Sequence, residues 1–546
     1  MQGVGSGQRA ANRRLAQQQS HRRRVFLIRR LGVGVVLAVV ALVAWVSFAS
    51  EDATDNRPVS ASKAAGAQDS MAPPTTPVDA SVLSDPTRSG MPYGTTVSGL
   101  LTFRGNPTRS YYGQGPVPGA PKVDWFYPNG GGMCSTSTAK GETKQWCGSG
   151  WTGQPAVFER GGRTWVVFGA YDRAVHFIDA DTGEDILAPF PTGDIIKGSV
   201  TVDPDGFPLI YTGSRDNFYR VISIDQPGGA EELWKLSATA VSPTLWNNDW
   251  DGSGLVLDDY LLEGGENSQF HMAKLNRAYG ADGLVTVDPE LVFHTPSWDA
   301  QVTKDLAGNR DSEMSIENSV AVWKDTVYFS NSGGLVQGWD LAPVRTGGTP
   351  RRTFRFWTGD DQDASIVIDS DGFLYAAVEY ERSNARAKEV GQLIKLDPTR
   401  PDDPIVWSVK DQETSPAGIW STPAIWKDLV ITTTDGGRVM GIDRATGDIR
   451  WTKRLPGPVW QSPVVVDDVL IQGDCNGMLH GYSLADTLMD PPEVWSLDLG
   501  GCIESTPAVW KGRIYVGTRA GRFFAMSDDG TLISPTAGTA GGTGGD

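Results

Sequence analysis

The sequence predicts an all-β fold, an eight-bladed β-propeller of four-stranded blades, with one N-terminal transmembrane helix ahead of it. Three observations lead to this fold class. First, a phrase recurs that opens with Ser/Thr-Pro and ends in D-x-x-T-G-x-x-x-W, most clearly from Ser421 to Trp451. Second, repeats of roughly 45 residues cannot bury their own apolar face, so they must stack or close into a ring. Third, an isolated Trp-bearing strand stands ahead of the first unit.

Eight repeat units follow from aligning the sequence on the Pro of the opening phrase. Each unit has three runs rich in β-branched and aromatic residues and then a fourth that often carries Trp. Four short strands at this period are typical of propeller blades. The longer units contain insertions, roughly at residues 279–315 and 380–389. The aligned positions are Pro155, Val200, Pro243, Val320, Ile366, Pro423, Pro463 and Pro507.

The last unit lacks its Trp strand, and the segment at residues 122–128 (KVDWFYP) supplies one of that type. We therefore expect this N-terminal strand to complete the eighth blade. Closure of the ring in this way removes exposed sheet edges.

The N-terminus has the pattern of a membrane anchor. Residues 31–49 are nineteen apolar residues without charge, enough to span a bilayer as a helix. Residues 1–30 form a basic segment with eight Arg and no acid, so the positive-inside rule keeps them in the cytoplasm and places the following chain outside it. We favour an uncleaved anchor over a cleaved signal peptide. The pair Arg23-Arg24 leaves export through the twin-arginine route open.

The remaining boundaries follow from composition. Residues 50–95 are rich in Ser, Ala, Pro, Thr and Asp and predict a flexible tether. Residues 96–533 form the propeller, and the Gly- and Thr-rich tail at 534–546 is expected to be disordered. Beyond its basic start the chain carries a charge of about −25, which argues against nucleic acid as a partner.

All four cysteines lie on the side of the membrane where disulfides form. Cys134 and Cys147 share the connection into the first blade, whereas Cys475 and Cys502 fall in a turn and a crossing on one face of the ring. We predict the disulfides Cys134–Cys147 and Cys475–Cys502.

Propellers bind ligands over the central channel, where the innermost strand of each blade begins. Three positions before each aligned residue, the sequence places charged and aromatic side chains that should ring this mouth. Turns on the same face add further polar residues, among them Arg215. The residues at the eight positions are Thr152, Lys197, Ala240, Glu317, Asp363, Trp420, Trp460 and Glu504.

A second candidate site is the segment NNDWDGSG. Its alternating polar residues Asn247, Asp249 and Asp251, with Asp258 at the twelfth position, suit a Ca²⁺-binding loop. The alternative is an ordinary polar hairpin turn. We expect this turn on the face opposite the mouth, where any ion would be structural.

The D-x-x-T-G-x-x-x-W phrase and the segment LTFRGNPTRSYYGQGPVP (residues 101–118) resemble the PQQ-like β-propeller repeat family. That family includes the quinoprotein alcohol dehydrogenases and a non-enzymatic propeller lipoprotein of outer-membrane assembly. The resemblance covers roughly residues 101–533.

The resemblance implies a pocket for PQQ and Ca²⁺ at the mouth. Trp420 or Trp460 would stack on the quinone, and Lys197 or Arg215 would hold its carboxylates. Glu317 with Asn318 would bind the cation, and Asp363 would act as the catalytic base. Glu504 completes this candidate cofactor-binding set. The alternative, which we favour, is that the rim of a water-filled channel needs polar residues anyway and that the two tryptophans pack against the next blade.

Two departures from the dehydrogenases weigh against activity. The sequence has no adjacent Cys-Cys pair and no C-x-x-C-H haem motif. We therefore expect a membrane-anchored, extracytoplasmic scaffold that binds envelope proteins or polymers. The alternative is a PQQ-dependent alcohol or sugar dehydrogenase.

Overall fold

The computed structural model describes residues 81–150, 153–412 and 418–531, which form a ring of eight four-stranded antiparallel sheets. The predicted basic segment, transmembrane helix and C-terminal tail lie outside the described residues, as does most of the predicted tether. Within the described part of the chain, no helix combines the length and the apolar character needed to cross a bilayer.

Five short strands precede the first blade, and three of them join sheets formed later in the chain. They are β1 (Gly99–Leu100), β2 (Gly113–Gln114), β3 (Lys122–Tyr127), β4 (Cys134–Ala139) and β5 (Glu142–Cys147). The strands β4 and β5 form a separate hairpin.

The first four blades each run from an innermost to an outermost strand in chain order. Blade 1 contains β6 (Ala156–Arg160), β7 (Arg163–Gly169), β8 (Ala174–Asp179) and β9 (Asp185–Pro191). Blade 2 contains β10 (Thr201–Val202), β11 (Leu209–Gly213), β12 (Phe218–Gln226) and β13 (Gly229–Ser237). Blade 3 contains β14 (Leu255–Leu257), β15 (Tyr260–Gly265) and β16 (Gln269–Lys274), then a side hairpin of β17 (Ala278–Tyr279) and β18 (Val285–Thr286), and finally β19 (Glu290–Pro296). Helix α1 (Ala300–Leu306) leads to blade 4, which contains β20 (Ala321–Trp323), β21 (Thr326–Phe329), β22 (Leu335–Asp340) and β23 (Arg351–Trp357).

The last four blades follow the same order. Blade 5 contains β24 (Val367–Ile368), β25 (Leu374–Ala377), the inserted helix α2 (Ala385–Val390), β26 (Leu393–Leu396) and β27 (Ile405–Val409). Blade 6 contains β28 (Ala424–Trp426), β29 (Leu429–Thr433), β30 (Arg438–Asp443) and β31 (Ile449–Arg454). Blade 7 contains β32 (Val464–Val466), β33 (Val469–Gly473), β34 (Met478–Ser483) and β35 (Glu493–Asp498). Blade 8 contains β36 (Ala508–Trp510), β37 (Arg513–Thr518) and β38 (Arg522–Ser527), with β3 outermost. Short 3-10 helices cover Pro86–Arg88 and Ala342–Thr346.

The predicted closure of the ring is confirmed. The strand β3 pairs antiparallel with β38, and Trp125 lies opposite Ala525 in the register. Blade 8 therefore combines three C-terminal strands with a strand that precedes blade 1, and β3 covers the edge that β38 would otherwise expose.

The recurring phrase joins neighbouring blades. In blade 6 the Asp443 carboxylate accepts hydrogen bonds from the backbone N–H groups of Ala445 and Thr446, at 2.8 and 2.9 Å. The turn then reaches Gly447 at φ +81°, where a Cβ atom would lie 2.8 Å from the ring of Trp407 in blade 5. Only glycine suits both the positive φ and this contact. The Trp of one blade thus packs on the Thr-Gly turn of the next.

The seam between blades 8 and 1 uses the same contact. The Trp125 ring packs on Gly183, and its indole N–H donates to the Ala180 carbonyl at 2.9 Å. The noncovalent seam therefore has the same interblade contact as the junction between blades 5 and 6.

Residues 99–114, which we call the axial segment, run through the centre of the ring and contact all eight blades. The strands β1 and β2 pair with the innermost strands of blades 1 and 8. Between them, carbonyls of Leu101, Pro107 and Thr108 accept backbone hydrogen bonds from blades 2, 4 and 5. The Tyr112 hydroxyl contacts the backbone N–H of Ile425 in blade 6. One continuous stretch of chain therefore fills the axis.

Two buried arginines complete the contacts of the axial segment. The Arg104 guanidinium donates to carbonyls of Thr422, Pro423 and Pro463, in the approaches to blades 6 and 7. The Arg109 guanidinium donates to the Ser253 carbonyl at 2.7 Å, in the approach to blade 3. Both residues are fully buried, and burial lowers the pKa of each to about 10. Backbone carbonyls thus solvate two charges in the middle of the protein.

The structure corrects the predicted start of the third unit. Innermost strands begin one residue after the aligned position in the other seven blades, but β14 begins at Leu255, so the third unit aligns on Gly254 and not on Pro243. The Ser-Pro at residues 242–243 belongs to the long approach to blade 3. Part of the predicted insertion at 279–315 is also the outer strand of this blade, β19.

Residues 81–95 differ from the predicted tether because they pack on the propeller. Leu83 and Tyr93 are buried, and the Tyr93 hydroxyl donates to the Val256 carbonyl at 2.9 Å. Tyr93 therefore holds this stretch against blade 3, and the bond from the Ser84 N–H to the Lys324 carbonyl holds it against blade 4.

Both predicted disulfides are confirmed. Cys134 bonds to Cys147 and closes the β4–β5 hairpin, and Cys475 bonds to Cys502. The hairpin lies over the ends of blades 1, 2 and 8, where Trp146 contacts Tyr171, Arg215 and Arg519.

The seam contact yields a first prediction. Replacing Trp125 by Ala removes the packing on Gly183 and should lower the free energy of unfolding by about 3–5 kcal/mol. Trp407→Ala should cost a similar amount, because it removes the equivalent contact between blades 5 and 6. Urea unfolding of the full-length protein measures both. The control Val494→Ala, on an outer strand and 48% exposed, should change stability by less than about 0.5 kcal/mol. A Trp125→Ala protein as stable as the parent would contradict closure by β3.

Candidate functional site

The mouth of the ring is a shallow pit and not a channel, because the axial segment blocks the axis. Five predicted mouth residues line one cavity there together with Phe103 of the axial segment: Glu317, Asn318, Asp363, Trp420 and Trp460. The volume of this cavity that is free for solvent is only about 10 Å³.

One side of the mouth is a cluster centred on Lys197, which we call the lysine cluster. The Lys197 ammonium lies 3.1 Å from the Asp249 carboxylate and 2.8 Å from Glu266, and it also contacts Asp251. The Arg215 guanidinium adds a bond to Asp249 at 2.7 Å. Three buried carboxylates therefore meet two cations within one network.

The charges of the lysine cluster stabilise one another. Burial alone would lower the pKa of Lys197, but Asp249, Asp251 and Glu266 outweigh it and raise this pKa well above its usual range. Burial likewise opposes ionisation of Glu266, yet Lys197 and Arg215 hold the pKa of that carboxyl below its usual value. Asp251 differs, because burial raises the pKa of its carboxyl well above the usual range although Lys197 opposes the shift. With Asp251 protonated, two carboxylates face the two cations and the cluster is neutral.

The predicted Ca²⁺ loop is not formed as a unit. The Asn247 amide donates to Glu266 at 2.7 Å, and Asp249 and Asp251 bind Lys197, so these three residues lie at the mouth and not on the opposite face. Asp258 lies beyond the other end of β14, 3.5 Å from Arg345. An extended strand separates Asp258 from the other three, which excludes one loop site for all four.

A second acidic group lies in blade 5 and consists of Asp361, Asp363 and Glu379, which we call the blade-5 triad. Their carboxylate oxygens lie within 4.8 Å of one another. Burial raises the pKa of Asp361 to about 7, although Arg382 opposes the shift. Burial and neighbouring carboxylates raise the pKa values of Asp363 and Glu379 well above their usual range. Ionisation of all three carboxyls is therefore disfavoured unless a cation compensates their charges.

The remaining predicted site residues have local partners. Glu504 binds Arg519 at 3.0 Å. The Asn318 amide donates to carbonyls of Ser330 and Gln362 at 3.0 Å and so joins blades 4 and 5. The Glu317 carboxylate accepts a bond from the Ser315 hydroxyl at 2.6 Å, and burial and the Glu266 charge raise its pKa to about 8.

The residues at the mouth do not fit PQQ. Trp420 and Trp460 stack on each other with ring centroids 5.7 Å apart. A third ring between them would need about 7 Å, two van der Waals contacts. The predicted anion-binding groups, Lys197 and Arg215, are already paired with carboxylates. PQQ, a flat tricarboxylate, would therefore find no gap between the two indole rings and no unpaired cation for its carboxylates. The mouth does not support quinone chemistry.

Sequence reasoning missed Asp361, Glu379 and the axial segment as parts of the mouth. One signal for the aspartates was available. Asp361 and Asp363 stand six and four residues before β24, as Asp249 and Asp251 stand before β14. Alignment on the innermost strands, instead of on the Pro, brings the two pairs into register.

The lysine cluster yields a second prediction. Lys197→Met removes the cation shared by three buried carboxylates and should destabilise the protein by about 3–5 kcal/mol. The remaining carboxylates then favour their protonated forms, so the loss should be smaller at pH 5 than at pH 8. Urea unfolding at both values measures this. Lys427→Met, which breaks an exposed pair with Asp468, should cost less than about 1 kcal/mol. A loss independent of pH would mean that Lys197 acts through packing alone.

Comparisons with known proteins agree with the fold. A family model described as outer membrane protein assembly factor BamB matches residues 389–487. A search of curated proteins finds no match.

Among solved structures, quinohemoprotein alcohol dehydrogenase from Comamonas testosteroni is 13% identical, with a TM-score of 0.52 over 80% of this chain and 81% of its own. Quinohemoprotein alcohol dehydrogenase ADHIIG from Pseudomonas putida HK5 is 10% identical, with a TM-score of 0.53 over the same shares. BamB from Moraxella catarrhalis is 14% identical, with a TM-score of 0.37 over 74% of this chain and 97% of its own. Sequence identities this low show a similarity of fold alone. Together with the eight closed blades and their Thr-Gly and Trp contacts, the comparisons confirm that the chain has the eight-bladed propeller fold and resembles the PQQ-like β-propeller repeat proteins.

Proposed function

We propose that this propeller is a membrane-tethered, extracytoplasmic scaffold that binds a protein of the cell envelope through its rim. The observation that carries the proposal is the distribution of exposed apolar side chains. Of the six large apolar residues that are exposed in the described chain, five lie in blades 5, 6 and 7: Val406, Ile449, Leu488, Met489 and Val494. We call these five residues the rim patch.

The rim patch is built on the outer edges of adjacent blades. Val406, Ile449 and Val494 lie at the starts of β27, β31 and β35, the outermost strands of their sheets. Leu488 and Met489, 66% and 63% exposed, lie in the loop before β35. Exposed apolar groups that recur on the outer edges of neighbouring blades in this way favour a surface that binds other proteins.

The loop of blade 7 is held against blade 6. Lys453 of β31 binds Asp490 at 3.0 Å, and Arg450 donates to the Thr487 hydroxyl at 3.4 Å. These contacts bracket Leu488 and Met489 and place them beside the strand that carries Ile449. The patch is therefore presented by a rigid support, which lowers the entropic cost of binding.

Two further observations support the proposal. The family model for an outer membrane protein assembly factor matches residues 389–487, which include Val406 and Ile449 and end directly before Leu488. The two disulfides and the basic segment followed by an apolar stretch favour an oxidising compartment outside the cytoplasm. The dehydrogenase alternative lacks such support, because the mouth does not fit the quinone.

A third prediction concerns the rim patch. A photo-crosslinking amino acid at position 449 or 488 in the full-length protein should give one discrete adduct in intact cells, with the partner identified by mass spectrometry. The same amino acid at Tyr279, 56% exposed on blade 3, should give none. Leu488→Glu should abolish the adduct formed from position 449 without lowering Tm.

Equal adducts at positions 279 and 449, or none at either, would contradict a rim-binding scaffold. Incubation with PQQ and Ca²⁺ provides the opposing test. Quinone absorbance that stays with the protein through desalting would favour the dehydrogenase.

A fourth prediction concerns location. Protease added to spheroplasts should digest the propeller, and the chain should remain in the membrane fraction after a carbonate wash. Replacing Leu37 and Val43 by Arg within the apolar stretch should release the chain from the membrane, because charges at the centre of a span are costly. A protected propeller in intact spheroplasts would contradict the proposed orientation.

A further inference from the structure

Blades 3 and 5 carry equivalent acidic triads. In each blade two Asp residues stand six and four positions before the innermost strand, and one Glu follows the second strand. In blade 3 the Glu is Glu266, directly after β15, and in blade 5 it is Glu379, two residues after β25. The carboxylate oxygens lie within 4.8 Å of one another in both triads. The repeat therefore builds the same three-carboxylate site twice.

The blades that precede the two triads contribute side chains of opposite charge to them. Blade 2 contributes Lys197, four residues before its innermost strand, and the ammonium contacts all three carboxylates of blade 3. Blade 4 contributes Glu317 at the same position, four residues before β20. The blade-5 triad thus receives a carboxylate where the blade-3 triad receives its cation.

The charges around the blade-5 triad do not balance among the described residues. Arg382 lies 3.5 Å from Asp361 and is equally close to Asp360 and Glu313, so three carboxylates share it. Arg310 binds Glu381 at 2.6 Å. Glu379 is only 2% exposed, and its Oε1 atom has no hydrogen-bond partner. A buried carboxylate oxygen without a donor is costly and points to a missing cation.

We propose that Asp361, Asp363 and Glu379 bind a calcium ion. Each carboxyl offers one ligand oxygen, and the three oxygens lie within 4.8 Å of one another, which is close enough for one ion to bind all three. Ca²⁺ accepts irregular sets of carboxylate oxygens, whereas Mg²⁺ demands regular octahedral geometry and dehydrates reluctantly, so the triad favours Ca²⁺. Asp361 and Asp363 are partly exposed, and Asp363 lines the mouth, so an ion can enter from solvent.

The proposed ion is distinct from the one implied by the resemblance. Its ligands do not include Glu317 or Asn318, and its binding does not require a quinone. It also stands apart from the proposed binding at the rim. Its role is to join the approach to blade 5 to the turn after β25, as Lys197 does for blade 3.

The test is calcium binding by the full-length, chelator-treated protein. Equilibrium dialysis with ⁴⁵Ca²⁺ should show one ion per chain, and Ca²⁺ at a hundredfold excess over Kd should raise Tm by about 3 °C. Mg²⁺ at the same concentration should give a smaller shift. The double variant Asp363→Asn and Glu379→Gln should bind no ion. The control Asp181→Asn, at an exposed carboxylate, should bind as the parent does.

Glu317→Lys keeps the test decisive if the double variant fails to fold. This substitution supplies blade 5 with the ammonium that blade 3 already has. It should raise Tm in EDTA and abolish both the bound calcium and the response of Tm to Ca²⁺. Absence of bound calcium in the parent protein would overturn the proposal. Unchanged binding in Glu317→Lys, or a larger response to Mg²⁺ than to Ca²⁺, would overturn it as well.

Discussion

The structure depends on a single strip of chain that occupies the axis of the ring. Residues 99–114 contact all eight blades, and their two buried guanidinium groups bind the backbone carbonyls that converge there. A propeller has a hole where its innermost strands begin, and those strands leave unpaired carbonyls facing it. In this protein Arg104 and Arg109 satisfy several of these carbonyls, so the centre behaves as a solid core and not as a pore.

That filled axis determines what the mouth can do. With Phe103 and the stacked Trp420 and Trp460 below and beside it, little space remains for a large planar ligand. The polar residues that ring the mouth are instead used to tie each blade's approach to its neighbour. The lysine cluster joins blades 2 and 3 by charge, and Asn318 joins blades 4 and 5 by hydrogen bonds. We therefore place the proposed partner binding at the rim.

The sequence was sufficient for the fold and partly sufficient for the site. Repeats and the stray Trp125 strand predicted the blades and their closure because both rest on local patterns with a fixed period. The disulfide pairs followed from the same geometry. The third unit was misplaced because a Ser-Pro in a long approach imitates the opening phrase, and this error moved Asp251 to the wrong face. The pairing of Lys197 with Asp249 and the course of the axial segment could not be predicted, because they join residues whose proximity only the closed ring creates.

The seam described above also sets an order of events during biosynthesis. Lys122–Tyr127 leaves the ribosome long before Arg522–Ser527, the strand that it pairs with. Until blade 8 is synthesised, β3 has no partner strand and the axial segment is not fully enclosed by blades. Native contacts between such distant residues slow folding and prolong the lifetime of open intermediates. The early strand must therefore stay unpaired until synthesis of the chain is nearly complete, which favours binding of a chaperone to the open intermediate.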